Sequence, residues 1–213
     1  MRVLLILALL FAVPATAREP ATVRVRLQTS AGAIVVALDA RHAPRTVENF
    51  LAYVDDERFD GTVFYRAARS KRSPGQGFIQ AGIRTDARRI LPPFPLETTA
   101  VTGIRHTDGA ISMARASDPN SAGGNFVLLA GPAPQMDARP GYLGYAAFGH
   151  VVSGMAVVRR ILALPTGGGM DAFKGQMILQ PVRVIAARRL DGVAKPTGRV
   201  KPWLIETRAP AKH

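Results

Sequence analysis

The chain has 213 residues, with 28 Lys and Arg against 15 Asp and Glu, a formal net charge of +13 and no cysteine. The absence of cysteine excludes disulfides, thiolate metal ligands and a cysteine nucleophile. The length suffices for one domain with one sizeable core. The excess of positive charge favours acidic partners through long-range attraction.

The first 17 residues have the pattern of a secretory signal peptide. Met1 and Arg2 give a positive start, residues 3–13 are an uninterrupted apolar run, and Ala15-Thr16-Ala17 is a small-x-small cleavage sequence. The run is too short for a membrane-spanning helix, which needs about 20 residues. We therefore expect a periplasmic protein that is cleaved after Ala17 and does not insert stably into a membrane.

Export decides which acidic partners the basic residues can meet. In that location we exclude nucleic acid, and acidic envelope components such as anionic lipid or lipopolysaccharide remain, together with unfolded acidic chains. The alternative is that the excess charge is only a solvated surface. Basic residues are concentrated between Arg66 and Arg89 and again from Arg188 to Lys212.

The first elements of the mature chain are a hairpin and a helix. Residues 22–29 alternate apolar and polar side chains, a turn follows at 30–32, and residues 33–38 form the second strand. Pro44 is suited to the first turn of a helix, and the next apolar residues have helical spacing. These apolar residues are Val47, Phe50, Leu51 and Val54.

Further short strands follow, separated by loops rich in Gly, Pro, Ser and Asn. The predicted strands are 62–67, 78–83, 110–114, 126–130, 145–151 and 180–187, with a second helix at 155–164. Many short strands with one early and one late helix predict a mainly β protein, a closed antiparallel barrel capped by two α-helices. We expect this barrel domain to span residues 18–190. Residues 191–213 then form a basic, Pro-containing tail without a core of its own, although its single tryptophan, Trp203, has the character of a docking residue.

Several separated motifs follow one another along the chain. They are Phe64-Tyr65-Arg66, Phe78-Ile79-Gln80-Ala81-Gly82, Ser112-Met113-Ala114-Arg115, Pro119-Asn120-Ser121 and Asn125-Phe126-Val127. In this order they resemble the active-site strands of cyclophilins, the peptidyl-prolyl cis-trans isomerases. The Pro-x-Thr-x-x-Asn-Phe pattern of the first cyclophilin helix is also matched at residues 44–50. The resemblance covers roughly residues 22–190 and indicates a divergent, exported bacterial member of the family.

The resemblance implies that Arg66 is the catalytic arginine and that Gln80 holds it and contacts the peptide. It implies a substrate groove formed by Phe78, Ala114, Arg115, Ala116, Asn125, Val127, Met136 and Tyr145. Strand alternation predicts that Phe64 and Arg66 share one face and that Tyr65 lies on the other. Rotation about an X–Pro bond breaks no bond, so no metal, cofactor or covalent intermediate is expected.

Three groove positions depart from the usual pattern of the family. Asn125 stands in place of glutamine, Val127 in place of phenylalanine, and Gln135 where an aromatic residue is common. Phe78 also lies one position later than the usual ring, with Gly77 in that place. We expect a groove with a thinner aromatic lining and weaker proline binding.

The leading hypothesis is an isomerase that acts on X–Pro bonds of unfolded or extended exported proteins. The alternative is a catalytically weak peptide-binding or holdase module with the same barrel. A third possibility is a surface-attachment protein whose basic tail binds anionic envelope polymers.

Other candidate sites carry weaker signals. The four histidines, His42, His106, His150 and His213, lack the spacing of metal ligands. A triad of His106, Asp108 and Ser112 is not expected, because these residues lie within one short segment. Residues 167–169, three consecutive glycines, follow a helix and lack the Lys-Ser/Thr of a phosphate-binding loop, so we interpret them as a flexible turn.

Overall fold

The computed structural model describes residues 20–205, with the side chain of residue 205 left out. The predicted signal peptide and the last eight residues of the predicted tail lie outside this range. None of the helices described is long and apolar enough to cross a membrane.

Eight antiparallel strands form the barrel, and a short ninth strand extends it. The strands are β1 (Thr22–Thr29), β2 (Gly32–Asp39), β3 (Val63–Arg69), β4 (Gly77–Gly82), β5 (Ala110–Met113), β6 (Asn125–Ala130), β7 (Ala147–Ser153), β8 (Thr166–Gly167) and β9 (Met177–Arg189). Their order around the sheet is β1-β2-β7-β5-β6-β4-β3-β9, and β1 pairs with β9 to close the ring. The two-residue β8 pairs with the start of β9. The predicted mainly β, closed barrel is therefore confirmed.

The two predicted helices are present, and shorter helical turns are added. The structure places helices at α1 (Pro44–Asp55), α2 (Thr99–Thr102), α3 (Met155–Leu162) and α4 (Pro202–Ile205), with one-turn 3-10 helices at residues 87–89, 134–136 and 171–173. The apolar stripe of α1 is buried, and the apolar residues of α3 join the same core. Both long helices therefore use the face that the sequence predicts.

The core fills the barrel interior with side chains from alternate strand positions. Val23, Val25 and Leu27 of β1 are fully buried, while the residues between them are exposed. Phe50 of α1 contacts Phe126 and other rings, with ring centroids 5.3 Å apart. Contacts of this kind dominate core energetics, since each aromatic ring buries a large apolar area.

The chain after β9 folds back onto the barrel at α1 and the loop that follows it. The backbone N–H of Thr197 donates to Asp56 at 2.8 Å. Trp203 is 6% exposed and lies against the guanidinium groups of Arg58 and Arg89, whose carbon atoms are 4.8 and 5.1 Å from the ring centre. Thr197 and Trp203 thus join the described part of this segment to the barrel domain.

Candidate active site

Five of the predicted site residues lie on the neighbouring strands β3, β4 and β6, and the others lie in the connecting segments beside them. Arg66 of β3 is opposite Gln80 of β4, Gln80 is opposite Val127 of β6, and Val127 is opposite Ser112 of β5. Strand alternation buries Ile79 and Ala81 in the core and leaves Gln80 on the outer face. The barrel therefore aligns side chains that are far apart in the sequence.

Arg66 is half-buried and hydrogen-bonded on three sides of its guanidinium. Its Nη1 donates to Oε1 of Gln80 at 3.0 Å, its Nε to Oε1 of Gln176 at 2.9 Å, and its Nη2 to the carbonyl of Ala172 at 3.0 Å. Burial lowers the pKa of Arg66 below the ordinary 12.5, and nearby Tyr65 and Tyr145 oppose this shift. A guanidinium nevertheless stays charged at physiological pH.

Tyr65 lies on the groove side, which corrects the prediction from strand alternation. The pairing of β3 shifts register between Phe64 and Arg66, which is a β-bulge. A bulge breaks the strict two-residue alternation and redirects a side chain. Phe64 is therefore in the core, while the Tyr65 hydroxyl donates to Asn125 at 3.1 Å beside the groove. Burial raises the pKa of Tyr65 to about 12, so this hydroxyl remains a donor at neutral pH.

Phe78 provides an aromatic surface beneath the arginine. The guanidinium carbon of Arg66 is 5.0 Å from the centre of the Phe78 ring. Phe78 also packs with Met136 against a small buried cluster that contains Leu129. Gly77 cannot carry a side chain here, because a Cβ would lie 2.1 Å from the carbonyl oxygen of Ala68. The ring of Phe78 thus lies one position later in the sequence than the aromatic residue of the usual cyclophilin pattern, and it still faces Arg66.

A groove of about 870 Å³ extends beside Gln80. The predicted residues Ala114, Arg115, Ala116 and Asn125 all line it. Ala114 and Ala116 donate their N–H groups to the Asn125 carbonyl and to Ser121. The N–H of Arg115, between them, donates to no acceptor among the described residues.

The Arg115 side chain is fixed against the wall of the groove. Its Nε and Nη2 donate to the Gly144 carbonyl at 3.1 and 2.9 Å, and its guanidinium lies 4.9 Å from the Tyr145 ring centre. The structure thus brings Tyr145 to the site through Arg115. Tyr145 itself precedes β7, which begins at Ala147 rather than at the predicted residue 145, because its N–H donates to the carbonyl of Met136.

Asn125 and Val127, the two departures on β6, are both held by the protein. The amide of Asn125 accepts from Tyr65 and donates to the carbonyl of Ile83 at 2.9 Å. Val127 is 4% exposed and fills the space between Gln80 and Ser112. Asn125 therefore shapes the groove wall, and Val127 closes the sheet surface between Gln80 and Ser112.

His106, Ser112 and Asp137 form a buried hydrogen-bonded relay, and the triad with Asp108, which the sequence analysis did not expect, is absent from the described residues. His106 Nδ1 lies 2.7 Å from Asp137, and its Nε2 lies 2.9 Å from the Ser112 hydroxyl. Asp108 instead bonds Arg159. Ser112 is fully buried and its hydroxyl donates to the carbonyl of Ala146, so it cannot reach a substrate as a nucleophile. The relay is a structural link between strands and a loop.

Two functional neighbours of Arg66 were missed by sequence reasoning. Gln176 and Phe173 lie more than 100 residues later in the chain, and Phe173 covers the guanidinium of Arg66 at 4.3 Å. No local motif marks them, because their contacts depend on how β8 and β9 pair. Among residues 20–205, no group of three or more His, Asp or Glu residues is arranged to hold a metal ion.

Comparisons with known proteins agree with this geometry. The family model for cyclophilin type peptidyl-prolyl cis-trans isomerase/CLD matches residues 24–188. The chain is 35% identical over 169 residues to peptidyl-prolyl cis-trans isomerase cyp18 of Streptomyces antibioticus, covering 78% of this chain and 98% of that protein. It is 36% identical over 175 residues to peptidyl-prolyl cis-trans isomerase A of Dickeya dadantii, covering 81% and 89%.

A solved structure shares the fold. The crystal structure of a cyclophilin type peptidyl-prolyl cis-trans isomerase from Cryptosporidium parvum matches with a TM-score of 0.63 at 20% identity, covering 81% of this chain and 99% of that one. The family and the isomerase class that the motifs predict are confirmed. The chain belongs to the cyclophilin-type peptidyl-prolyl cis-trans isomerases, isomerases that act on proline-containing peptides.

Proposed function

We propose that the protein accelerates X–Pro isomerisation in unfolded or extended exported proteins, with Arg66 and Gln80 as its catalytic residues. The observation that carries this proposal is the guanidinium of Arg66, bonded to Gln80 and lying over the ring of Phe78 beside an open groove. Arg115 is also fixed beside a ring at this groove, but its guanidinium is bonded to the Gly144 carbonyl and lies over Tyr145, whereas that of Arg66 is bonded to Gln80.

The chemistry requires stabilisation of a twisted amide. Rotation about a peptide bond has a barrier of about 18–20 kcal/mol, and an uncatalysed X–Pro bond takes tens of seconds or more. As the amide twists, resonance is lost and the prolyl nitrogen gains a lone pair. An N–H donor of Arg66 aimed at that nitrogen binds the twisted state more strongly than the planar one, which is the condition for catalysis.

Binding of the peptide is assigned to the backbone of residues 114–116. The small side chains of Ala114 and Ala116 leave room for an extended chain, and the N–H of Arg115 is open to pair with it as an added strand. We assign the apolar surface for the proline ring to Phe78 and Met136, which are partly buried, whereas Val127 is 4% exposed and offers little surface to a ligand. The hydrogen bonds to residues 114–116 use main-chain groups of the peptide, so they suit clients of many sequences.

The place of action is proposed from the leader and the charge. The signal-peptide pattern of residues 1–17 supports export to the periplasm, and the net charge of +13 supports attraction to acidic envelope partners. Mass spectrometry of the protein isolated from the producing cells tests the leader. A mature chain that begins at residue 18 supports export, and an intact Met1 in the cytoplasm contradicts it.

A protease-coupled isomerisation assay on a short Ala-Pro peptide tests the enzyme assignment. We expect the Arg66→Ala variant to lose about 10- to 100-fold in kcat/KM, because a hydrogen bond to a charged group is worth about 1.5–3 kcal/mol. Arg26→Ala is the matched control, because Arg26 is an exposed arginine of β1 on another part of the barrel. Equal rates for wild type and Arg66→Ala would remove the assigned role of Arg66.

The second candidate is a peptide-binding or holdase module with little turnover. It is favoured by Asn125, whose amide is occupied by Tyr65 and Ile83 rather than open to a ligand. In this case wild type and Arg66→Ala suppress aggregation of an unfolded client equally and neither accelerates isomerisation.

Surface attachment through the tail is tested by deleting residues 206–213 and measuring binding to anionic vesicles. Binding that survives this deletion excludes these residues as the anchor.

A further inference from the structure

The loop between β8 and β9, residues 168–176, closes around the guanidinium of Arg66. We call this segment the Arg66 loop. It supplies two of the three acceptors that bind the arginine, the side-chain oxygen of Gln176 at 2.9 Å from Nε and the carbonyl oxygen of Ala172 at 3.0 Å from Nη2. Gln80 supplies the third at 3.0 Å from Nη1. Every nitrogen of the guanidinium is therefore held by a separate acceptor.

Aromatic rings complete the enclosure of Arg66. The guanidinium carbon is 4.3 Å from the ring centre of Phe173 in the Arg66 loop and 5.0 Å from that of Phe78 on β4. An arginine over aromatic rings is attracted by their π-electrons, and partial removal from water strengthens the attraction. The rings and the three acceptors leave the arginine little freedom to rotate.

The number of donors decides whether this enclosure blocks the arginine or orients it. A guanidinium has five N–H donors. Three are used by Gln176, Gln80 and Ala172, so one N–H on Nη1 and one on Nη2 remain for a ligand. A fixed donor needs no reorganisation when charge develops on the substrate, and that saving is the basis of electrostatic catalysis.

Specific backbone features hold the Arg66 loop in place. The N–H of Gly175 donates to the carbonyl of Gly168 at the base of the loop, and the carbonyl of Gln176 accepts from Ala67 of β3 at 2.9 Å. Gly169 has a φ of +78°, and a Cβ there would lie 2.3 Å from the carbonyl oxygen of Phe173. The three consecutive glycines interpreted as a flexible turn therefore allow a tight, anchored loop.

From these contacts we propose that the Arg66 loop is a positioning device for Arg66. Gln176 is its principal positioning residue, because it fixes the direction of the guanidinium plane through Nε, and the ring of Phe173 packs against the guanidinium. The loop thereby aims the two remaining N–H donors at the prolyl nitrogen. This inference rests on the proposed catalytic role of Arg66.

The test compares wild type with Gln176→Leu, which removes the acceptor at similar size, and Gln176→Glu, which keeps an acceptor oxygen. Gln28→Leu is the matched control, because Gln28 is an exposed glutamine of β1 with no side-chain bond among those described. The protease-coupled assay gives kcat/KM on an Ala-Pro peptide. NMR exchange measurements give the turnover and the dissociation constant of the same peptide separately, and thermal unfolding monitors the fold.

We expect Gln176→Leu to lower turnover about tenfold, since it removes a hydrogen bond to a charged group, while the peptide dissociation constant changes less than twofold. Gln176→Glu and Gln28→Leu should stay within about threefold of wild type. A Gln176→Leu variant that is as active as wild type would overturn the proposal. A variant that is more active would also overturn it and would indicate that the Arg66 loop blocks Arg66. Equal loss in Gln176→Glu would also overturn it, because the oxygen acceptor would not be the cause.

A second measurement keeps the proposal testable even where a variant fails to fold. The Nε–H of Arg66 in the wild type should give a distinct ¹⁵N NMR signal that exchanges slowly with water, and that signal should be lost in Gln176→Leu. Rapid exchange in the wild type would overturn the positioning role whatever the activities are. If the wild type gives the slow signal but does not isomerise the peptide, the catalytic role of Arg66 is wrong, while the positioning of Arg66 by the Arg66 loop still holds.

Discussion

A buried ion pair beneath the C-terminal segment gives a prediction about stability. The side chains of Asp56 and Arg58 are 0% and 2% exposed, and Nε of Arg58 donates to Asp56 at 2.8 Å. Asp56 also accepts from the backbone and hydroxyl of Thr197, at 2.8 and 2.5 Å. Burial opposes ionisation of Asp56, but the bonds from Thr197 and Arg58 outweigh it, and the pKa of this carboxyl lies below its ordinary 3.8.

The perturbation is Asp56→Asn, which keeps the shape and removes the charge. It leaves the Arg58 guanidinium buried without its carboxylate and presents an amide N–H₂ toward existing donors. Breaking a buried pair by removing one partner costs about 3–5 kcal/mol. Because native domains are stable by only about 5–15 kcal/mol, this change removes a large fraction of the stability.

Trp203 supplies the assay because it is the single tryptophan and lies against Arg58. Urea unfolding followed by its fluorescence should show the midpoint of Asp56→Asn lowered by about 1–5 M, given slopes of about 1–3 kcal/mol/M. Asp191→Asn is the control, because Asp191 forms an exposed pair with Arg24 and should shift the midpoint far less. Adding Arg58→Met to Asp56→Asn should recover part of the loss, since no unpaired charge remains.

If Asp56→Asn lowers the free energy of unfolding by less than about 1 kcal/mol, the reasoning is refuted, because the pair would then contribute no more than an exposed ion pair does. Circular dichroism adds a second criterion. If the tail segment is part of the cooperative fold, the fluorescence and dichroism transitions coincide in wild type. If the fluorescence transition instead comes at a lower urea concentration than the dichroism transition, the segment detaches before the barrel unfolds. Asp56 would then anchor only the segment and would not stabilise the whole fold.

Two further predictions concern the groove and pH. Phe78→Ala should lower kcat/KM by about 10- to 100-fold, since burial of a phenylalanine is worth about 1.5–3 kcal/mol, whereas an unchanged value in the protease-coupled assay would remove Phe78 from the proline pocket. Burial lowers the pKa of His106 below its ordinary 6.5, although Asp137 opposes this shift. The unfolded state therefore binds more protons than the folded state, and the free energy of unfolding should fall as the pH drops below about 6.5. Urea unfolding at pH 7.5 and 5.5 should show a smaller pH effect in His106→Gln than in wild type, and equal effects in both would contradict the assignment.

The barrel could be predicted from the sequence because its signals are local. The alternation in β1 and the apolar stripe of α1 each lie within one element, and the structure buries the residues that these patterns select. Motif order then placed Arg66, Gln80 and Phe78 together, and they are in contact. The periods of strand and helix therefore predicted the fold class, and the resemblance to cyclophilin motifs predicted the centre of the site.

The remaining features depend on contacts that no local pattern records. Strict alternation failed at Tyr65 because the bulge between Phe64 and Arg66 is a property of how β3 pairs with β4 and β9. The sequence analysis was right not to expect a triad with Asp108, but nothing in the sequence indicated that His106 bonds Asp137, 31 residues later. In both cases the contact depends on residues that lie far apart in the sequence.

The thinned aromatic lining predicted from the sequence is offset by groups from outside the familiar motifs. Val127 and Gln135 stand where the resemblance to cyclophilins leads us to expect aromatic residues, but Phe173 adds a ring at 4.3 Å from the Arg66 guanidinium. This ring arrives from the Arg66 loop rather than from the barrel strands, so a strand-by-strand comparison undercounts the aromatic groups around the arginine. If Phe173 and Gln176 fix Arg66 as proposed, weaker binding of the proline ring and efficient turnover are compatible, because the donor is oriented independently of the pocket.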